Sequence, residues 1–463
     1  MSDHFDAFGR RMRAEKLPDV FITVFADYYQ QLVEGQTGLI PESEIRPVES
    51  LPDAETLPAR LSNVGQAALA RTAVIKLNGG LGTSMGLEQA KSLLVVKEGL
   101  TFLDIIARQA LSAGVPLVLM NSFATDADSW ALLDERYPEL QKRDVPLSFL
   151  QHKEPKVMQS DLSPAAWPQN PELEWCPPGH GDIYVALVTS GTLDALLDAG
   201  YEYAFVANVD NLGAVIDTSI LGYFAENHFP FMMEVADRTE MDRKGGHLAE
   251  RAGDGHFLLR ESAQCPEEDL AAFQDINRHK YFNTNNLWLN LPALKQLLEE
   301  RDYRLGLPMI RNAKTVDPRN SSSTAVYQLE TAMGSAIAVF TGAQALRVPR
   351  RRFAPVKTTD DLLAVQSDAY TLTGDFRVIR NPAGGTDQLV VTLDPAYYRF
   401  IADLDARFPY GAPSLVDCRR LRVTGDFRFG RDIICRGAVW LINASNDQVE
   451  IADKTALRGE QRW

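Results

Sequence analysis

Cysteine is scarce: four in 463 residues. Cys176, Cys265, Cys418 and Cys435 stand far apart, and no CxxC pair occurs. That excludes a zinc cluster, a dithiol redox motif and a disulfide framework as organising features. Basic charge is also short, with 47 Lys plus Arg against 62 Asp plus Glu and a net charge of −15. Such a chain meets a polyanion only through a local positive pocket, so no nucleic-acid partner is expected. Long apolar runs are missing too. Val115–Met120 has the length of a strand and falls far short of a bilayer span. The first residues, Met1-Ser2-Asp3-His4-Phe5, are acidic and polar, with no basic segment leading into an apolar one. No secretory signal and no membrane partner are therefore expected, and a cytoplasmic location is.

Hydrophobic residues make up 45% of the chain and charged ones 24%, as in a folded protein of two or three domains. Residues 1–70 read as a helical segment. Phe21, Val24, Phe25, Tyr28, Tyr29 and Leu32 recur at helical spacing, and the stretch from Pro41 to Pro58 breaks the pattern. From about Thr72 short apolar strands alternate with helices: Ala73–Leu77, Val115–Met120, then Tyr203–Asn208 after the helical Thr192–Leu197. Parallel neighbours need crossover connections, so this alternation predicts an α/β fold with a doubly wound, mixed or parallel sheet over residues 71–368. Ligands in such sheets sit beyond the carboxyl ends of the strands. Over 369–463 the helices thin out. Phe376–Ile379, Gln388–Thr392, Asp432–Cys435, Val439–Ile442 and Val449–Ile451 read as short strands between turns. "LTGDFRV" (372–378) and "VTGDFRF" (423–429) are near-copies, which fits an all-β tail built as a β-solenoid with stacked turns.

The glycine-rich run "KLNGGLGTSMGLEQAKS", Lys76 to Ser92, follows a predicted strand. Glycines without Cβ atoms let backbone N–H groups approach a phosphate, and Lys91 adds charge. The run is not a Walker A loop, because Ala90 precedes Lys91-Ser92 and no glycine stands at 85. Nor is it GxGxxG, since the third glycine, Gly86, comes one place late. Other polar motifs also fall near predicted strand ends. "WCPPGHGDIY" (175–184) presents His180 from a Pro/Gly-framed loop, where a neutral imidazole can donate to a phosphate oxygen. A lone histidine is more often a structural, hydrogen-bonded one. "FVANVDNLGA" (205–214) ends a strand in Asn208-Val209-Asp210-Asn211; Asp210 suits a hard cation there, although an Asp capping a turn is the commoner case for such a residue. In "VPRRRFAPVKTTDDLL" (348–363) Lys357 precedes a helix start, Thr358-Thr359-Asp360-Asp361, and Arg350, Arg351 and Arg352 add unassigned positive charge. "FNTNN" (282–286) supplies amides that suit sugar hydroxyls or turns alike.

Taken in order, "KLNGGLGTSMG", "MNSF", "WCPPGHGDIY", "FVANVDNLGA", "KGG", "FNTNNLW", "NAKT", "QLETAMG" and "VPRRRFAPVKTTDDL" closely resemble the eukaryotic-type UTP–glucose-1-phosphate uridylyltransferase (UDP-glucose pyrophosphorylase) family. The resemblance runs from about Val74 to about Leu372. It implies a Rossmann-like, glycosyltransferase-A-like nucleotidyltransferase with a C-terminal left-handed β-helix, a region through which like chains could assemble. It also implies a Mg²⁺-dependent reaction of UTP with glucose 1-phosphate. Lys357 and Lys91 fall on catalytic positions. UTP would meet Leu77, Asn78, Gly79, Gly80, Lys91, Gln151, Gly179, Asn208 and Lys357. The sugar phosphate would meet Gly79, Gly80, His180, Asn208, Val209 and Asp210, with Asn283, Asn285, Glu234, Gly246 and Lys314 around the sugar. Asp210 would hold Mg²⁺. Many members carry proline just before the loop lysine where this chain has Ala90, a change in loop stiffness that leaves the charge in place. The rival readings are a pyrophosphorylase for a different or broader range of sugar 1-phosphates, and a non-catalytic nucleotide-sugar sensor or scaffold. The second should have lost Lys91, Asp210 or Lys357, and all three are present.

Overall fold

The structure, a computed structural model, describes residues 5–142, 144–385 and 389–463. Its centre is a sheet with a parallel half and an antiparallel half. Tyr203–Asn208 pairs parallel with Thr72–Asn78, which pairs parallel with Leu117–Asn121, and that strand with Ser148–Leu150. On the other side Tyr281–Asn290 runs antiparallel to Tyr203–Asn208 and also pairs antiparallel with Phe231–Asp237. The sheet is thus mixed, and its parallel half matches the strands expected from the sequence, with Tyr203–Asn208 found at its predicted bounds.

Alternation along these strands feeds two separate cores. Ile75, Val118, Met120, Ala204 and Val206 pack on one face with the helix Ile183–Thr189. Val74, Leu117 and Leu119 pack on the other with the helix Phe102–Ala113. A sheet covered on both faces needs apolar residues at nearly every position, which is why these strands read as unbroken apolar runs. The helix Phe102–Ala113 begins at a capping box between Thr101 and Asp104 and ends on Gly114, whose φ of 70° lies in the left-handed region.

The first 70 residues are not helical throughout. Phe5–Ala14 and Asp19–Val33 are helices whose Phe8, Phe25 and Tyr29 pack on Val185 and Leu329. Ile45–Pro47 instead adds an edge strand to the central sheet, against His247–Arg251. Among the described residues no helix is long and apolar enough to cross a membrane.

In the tail, Val390–Leu393, Cys418–Thr424, Ile434–Ile442 and Ala456–Arg462 pair parallel in series. Phe427–Phe429 pairs parallel with Val449–Ile451. Gln388, the predicted start of one strand, lies outside the described residues. The two TGDFR copies are not structural equivalents. The first is the turn of an antiparallel hairpin, Tyr370–Leu372 with Val378–Arg380; the second links two strands of the parallel array. The shared residues encode a turn, and what the flanking strands pair with decides the rest. The tail and the region before it share one core, in which Met85, Phe102, Val356 and Leu363 pack with Leu393, Tyr398 and Leu421.

Candidate active site

The glycine loop leaves the carboxyl end of Thr72–Asn78 with its carbonyls already held. Val209 N–H donates to Leu77 O (3.0 Å), the Thr125 hydroxyl to Asn78 O (2.6 Å) and the Ser122 hydroxyl to Gly79 O (2.9 Å). Lys91 N–H folds back onto Gly80 O at 3.0 Å. A Cβ built on Gly80 would meet open space. Asn78 itself is fully buried, and its amide donates to Asn121 and Ser129. Its Oδ1 is buried and has no hydrogen-bond partner among the described residues.

Two distant segments converge on Asp210. The Lys91 ammonium meets Asp210 Oδ2 at 2.7 Å, with both side chains largely buried. Val356 N–H donates to the Asp210 carbonyl at 3.1 Å, which sets Lys357 next to that point. Lys357 is exposed, and among the described residues its ammonium has no ion-pair partner. Its N–H donates to Asp361, which also closes the capping box of the helix Thr359–Gln366. Asn208 ends its strand immediately before Val209, which is buried. No cluster of three or more His, Cys, Asp or Glu suited to a metal occurs among the described residues. Lys91 engages Asp210 Oδ2, and no hydrogen bond among the described residues engages Oδ1, so that oxygen is open to a cation.

Gln151 and the 179–182 loop form the next wall. Gln151 Nε2 donates to Gly179 O at 3.1 Å. Gly179 has a φ of 77°, and a Cβ there would lie 2.4 Å from Thr331 O, so glycine is required on two grounds. Asp182 clasps His152 through its N–H (2.7 Å) and Nδ1 (2.8 Å), fastening the loop to the segment after Gln151. His180 Nδ1 accepts the Met333 N–H at 2.9 Å. Burial pushes its pKa down to about 4. The imidazole is therefore neutral with its proton on Nε2, a donor without permanent charge.

Around the predicted sugar site the assignments divide. Asn283 and Asn285 bond each other twice, at 2.8 and 2.9 Å, and Asn285 sits at a φ of 58° in the left-handed region. Gly246 lies against Glu261, since a Cβ would fall 2.4 Å from Glu261 Oε2. Glu261 was not singled out in the sequence, where it is one carboxylate in "LRESAQ" with no spacing signal. Its pKa is raised by burial, an effect partly offset by the Asn283 amide and the Lys357 charge. It is the acceptor that faces this group. Lys314 is exposed on Met309–Thr315, where its charge acts on Glu330, a neighbour of Gly179.

Glu234 must be corrected as a sugar ligand. It is 0% exposed, and its oxygens accept from Arg352 (2.8 and 2.6 Å), Asn286 (3.0 Å) and Trp288 (2.9 Å). A carboxylate so fully used has nothing to offer a hydroxyl. The three arginines are also explained: Arg352 holds Glu234, Arg350 grips Asp242 with two bonds at 2.8 and 2.9 Å, and Arg351 pairs with Glu55. They fix the segment that carries Lys357.

A model of the UTP–glucose-1-phosphate uridylyltransferase family matches residues 19–436. The chain is 42% identical over 427 residues to UTP–glucose-1-phosphate uridylyltransferase of Solanum tuberosum, covering 90% of this chain and 84% of that protein. It is 37% identical over 451 residues to a probable UTP–glucose-1-phosphate uridylyltransferase of Schizosaccharomyces pombe, covering 96% and 87%. A crystal structure of a point variant of UDP-glucose pyrophosphorylase from Leishmania major in complex with UDP-glucose superposes with a TM-score of 0.93, at 44% identity and 100% coverage of both chains. With glycine loop, lysine–aspartate pair and sheet all in place, the chain belongs to the UTP–glucose-1-phosphate uridylyltransferase family.

Proposed function

We propose that the protein forms UDP-glucose and pyrophosphate, reversibly, from UTP and glucose 1-phosphate. A phosphate oxygen of glucose 1-phosphate bonds to the α-phosphorus of UTP as the α–β bridging P–O bond breaks. Pyrophosphate leaves in line, carrying the electron pair. The attacking oxygen is already anionic near neutral pH, so no general base is used. The barrier lies in bringing two polyanions together and spreading charge at phosphorus. The observation that carries this reading is the convergence on Asp210: Lys91 through its side chain, the Lys357 segment through Val356 N–H.

Each group then has a task. The backbone at Gly79 and Gly80 cradles phosphate, while Lys91 and Lys357 offset its charge. Gln151 and Gly179 read the uracil edge, and Asn208 orients phosphate. His180 Nε2–H donates to the sugar phosphate without adding a second full charge. Asn283, Asn285, Glu261 and backbone at Gly246 receive the glucose hydroxyls. A magnesium ion, when bound, would be held by Asp210 and supply charge neutralisation between phosphates.

We also read the tail's serial parallel pairing as a β-solenoid, left-handed by family resemblance, and a surface through which copies could associate. The decisive assay supplies UTP, Mg²⁺ and glucose 1-phosphate and looks for UDP-glucose. The expected result is stoichiometric UDP-glucose and pyrophosphate, with glucose 1-phosphate preferred over galactose and N-acetylglucosamine 1-phosphates. Tight UDP-glucose binding without turnover would favour the sensor reading.

A further inference from the structure

Lys76 sits mid-strand in Thr72–Asn78, on the side away from Ile75, and is 2% exposed. An ammonium has three donors. Among the described residues this one has a single hydrogen bond, to Ala214 O at 2.7 Å, and the Phe205 ring at 5.7 Å. No carboxylate stands within ion-pair distance of it among the described residues. A buried charge ordinarily finds a counter-charge or a full set of acceptors. Burial, with Arg352 acting in the same direction, pushes its pKa down to about 7, while Glu234 and Asp210 pull it up.

Beside this ammonium lies a cavity of about 240 Å³. Its walls are mostly apolar, with Val74, Ile106, Phe205 and Ile216 among them, and Gln109, Ser112, Asp375 and Arg377 add polar groups to the lining. Asp375 and Arg377 pair with each other at 2.8 Å, so that part of the lining is nearly neutral. Gln109 donates to Phe376 O at 2.8 Å, and Arg108 lies 5.2 Å from the Phe376 ring. The hairpin turn after Leu372 is thereby clipped onto the helix Phe102–Ala113.

We infer that this cavity is a second ligand site, which takes a small anion with an apolar body and meets its charge with Lys76. The volume admits about ten heavy atoms if each needs on the order of 20 Å³, by comparison with about 30 Å³ for a water molecule. An aryl carboxylate matches both the walls and the cation. Inorganic phosphate matches only the cation, and its desolvation against apolar walls goes uncompensated.

The test is calorimetric titration of phenylacetate into the full chain saturated with UDP-glucose, so that the catalytic pocket is filled. Saturable binding at one site is expected. Affinity should fall at least tenfold in Lys76→Met and for benzyl alcohol, which has an aryl body and no charge. Ala113 is exposed and borders the cavity, so Ala113→Trp should block it and weaken binding at least tenfold with Lys76 intact. Raising the pH from 8 to 9 should weaken binding about tenfold as the free ammonium is lost. No saturable heat, water alone being the occupant, overturns the inference. So does undiminished binding by an Ala113→Trp protein that melts like the wild type, or equal affinity for benzyl alcohol.

Discussion

At the scale of single residues, what separates Lys357 from Arg352 is whether the charge is already used. Arg352 is buried against Glu234, whose other contacts are also filled. Lys357 gives the fold its backbone N–H, its position before a capping box and an ammonium 5.8 Å from the Phe353 ring, with no ion pair among the described residues. Lys357→Ala should therefore lower kcat by two orders of magnitude or more, as loss of one transition-state donor does, while circular dichroism and the melting temperature stay at wild-type values. Glu261→Gln should raise KM for glucose 1-phosphate roughly tenfold and leave KM for UTP nearly unchanged, the loss of a charge-assisted hydrogen bond. Equal effects on both substrates would remove Glu261 from the sugar. His180 gives a pH prediction. Its pKa is lowered from 6.5 to about 4, so below pH 6.5 the unfolded chain binds a proton that the folded chain refuses. The stability associated with neutral His180 is complete above pH 6.5 and shrinks as pH falls toward 4. A urea series on wild type and His180→Leu should show the difference between them moving in favour of the variant over that window. These residues were unequally legible. Lys91 stands out through its glycine-rich loop, whereas His180 and Asp210 each have an ordinary structural reading and are singled out by the family resemblance. Glu261 and Glu234 are both lone glutamates, and only the fold shows that one faces Gly246 and the other an arginine.

Elements were legible where a local rule suffices. Continuous apolar strands, the Thr358 helix start and the Gly-rich loop follow from residues close in sequence, and the structure has them. What the sequence pattern did not reveal is contact between remote backbones. The helices Arg60–Leu69 and Thr218–Glu226 cross at Gly65 and Gly222, where added Cβ atoms would lie 1.7 Å from Thr218 O and 1.9 Å from Leu61 O. Neither glycine has a turn around it to explain its presence. Gly222→Ala must push the helices apart and should lower stability by about 1–3 kcal/mol, read as a reduced urea midpoint at unchanged slope. The kinetic constants of the protein still folded should be unaffected, because this crossing touches none of the residues named in the site. The TGDFR copies show the opposite error. Identical local residues gave two turns, and pairing partners far along the chain made one a hairpin and the other a corner of the parallel array.

For the whole molecule the question is whether the tail is an appendage or part of the catalytic body. The composition change near Asp368 suggests a boundary, yet the core crosses it, with Met85, Phe102, Val356 and Leu363 packed against Leu393, Tyr398 and Leu421. Three tethers reach the site from the tail. The Thr359 hydroxyl donates to Tyr398 O at 2.6 Å, and Leu393 N–H donates to Asp360 at 3.2 Å, both at the start of the helix behind Lys357. Phe400 packs on Gly86, where an added Cβ would fall 3.1 Å from its ring, at the end of the glycine loop. Both loops that carry the lysines are thus braced by residues after Asp368. A chain cut after Asp368 keeps every candidate site residue and loses these braces, while burial of that shared core, worth about 25 cal/mol per Å² of apolar surface, goes with them. It should melt well below the full chain, scatter light as aggregates, and turn over at least a hundredfold more slowly. If the fragment instead stayed monodisperse with near-normal kcat, the tail would serve assembly alone, and the lysines would owe their placement entirely to the sheet.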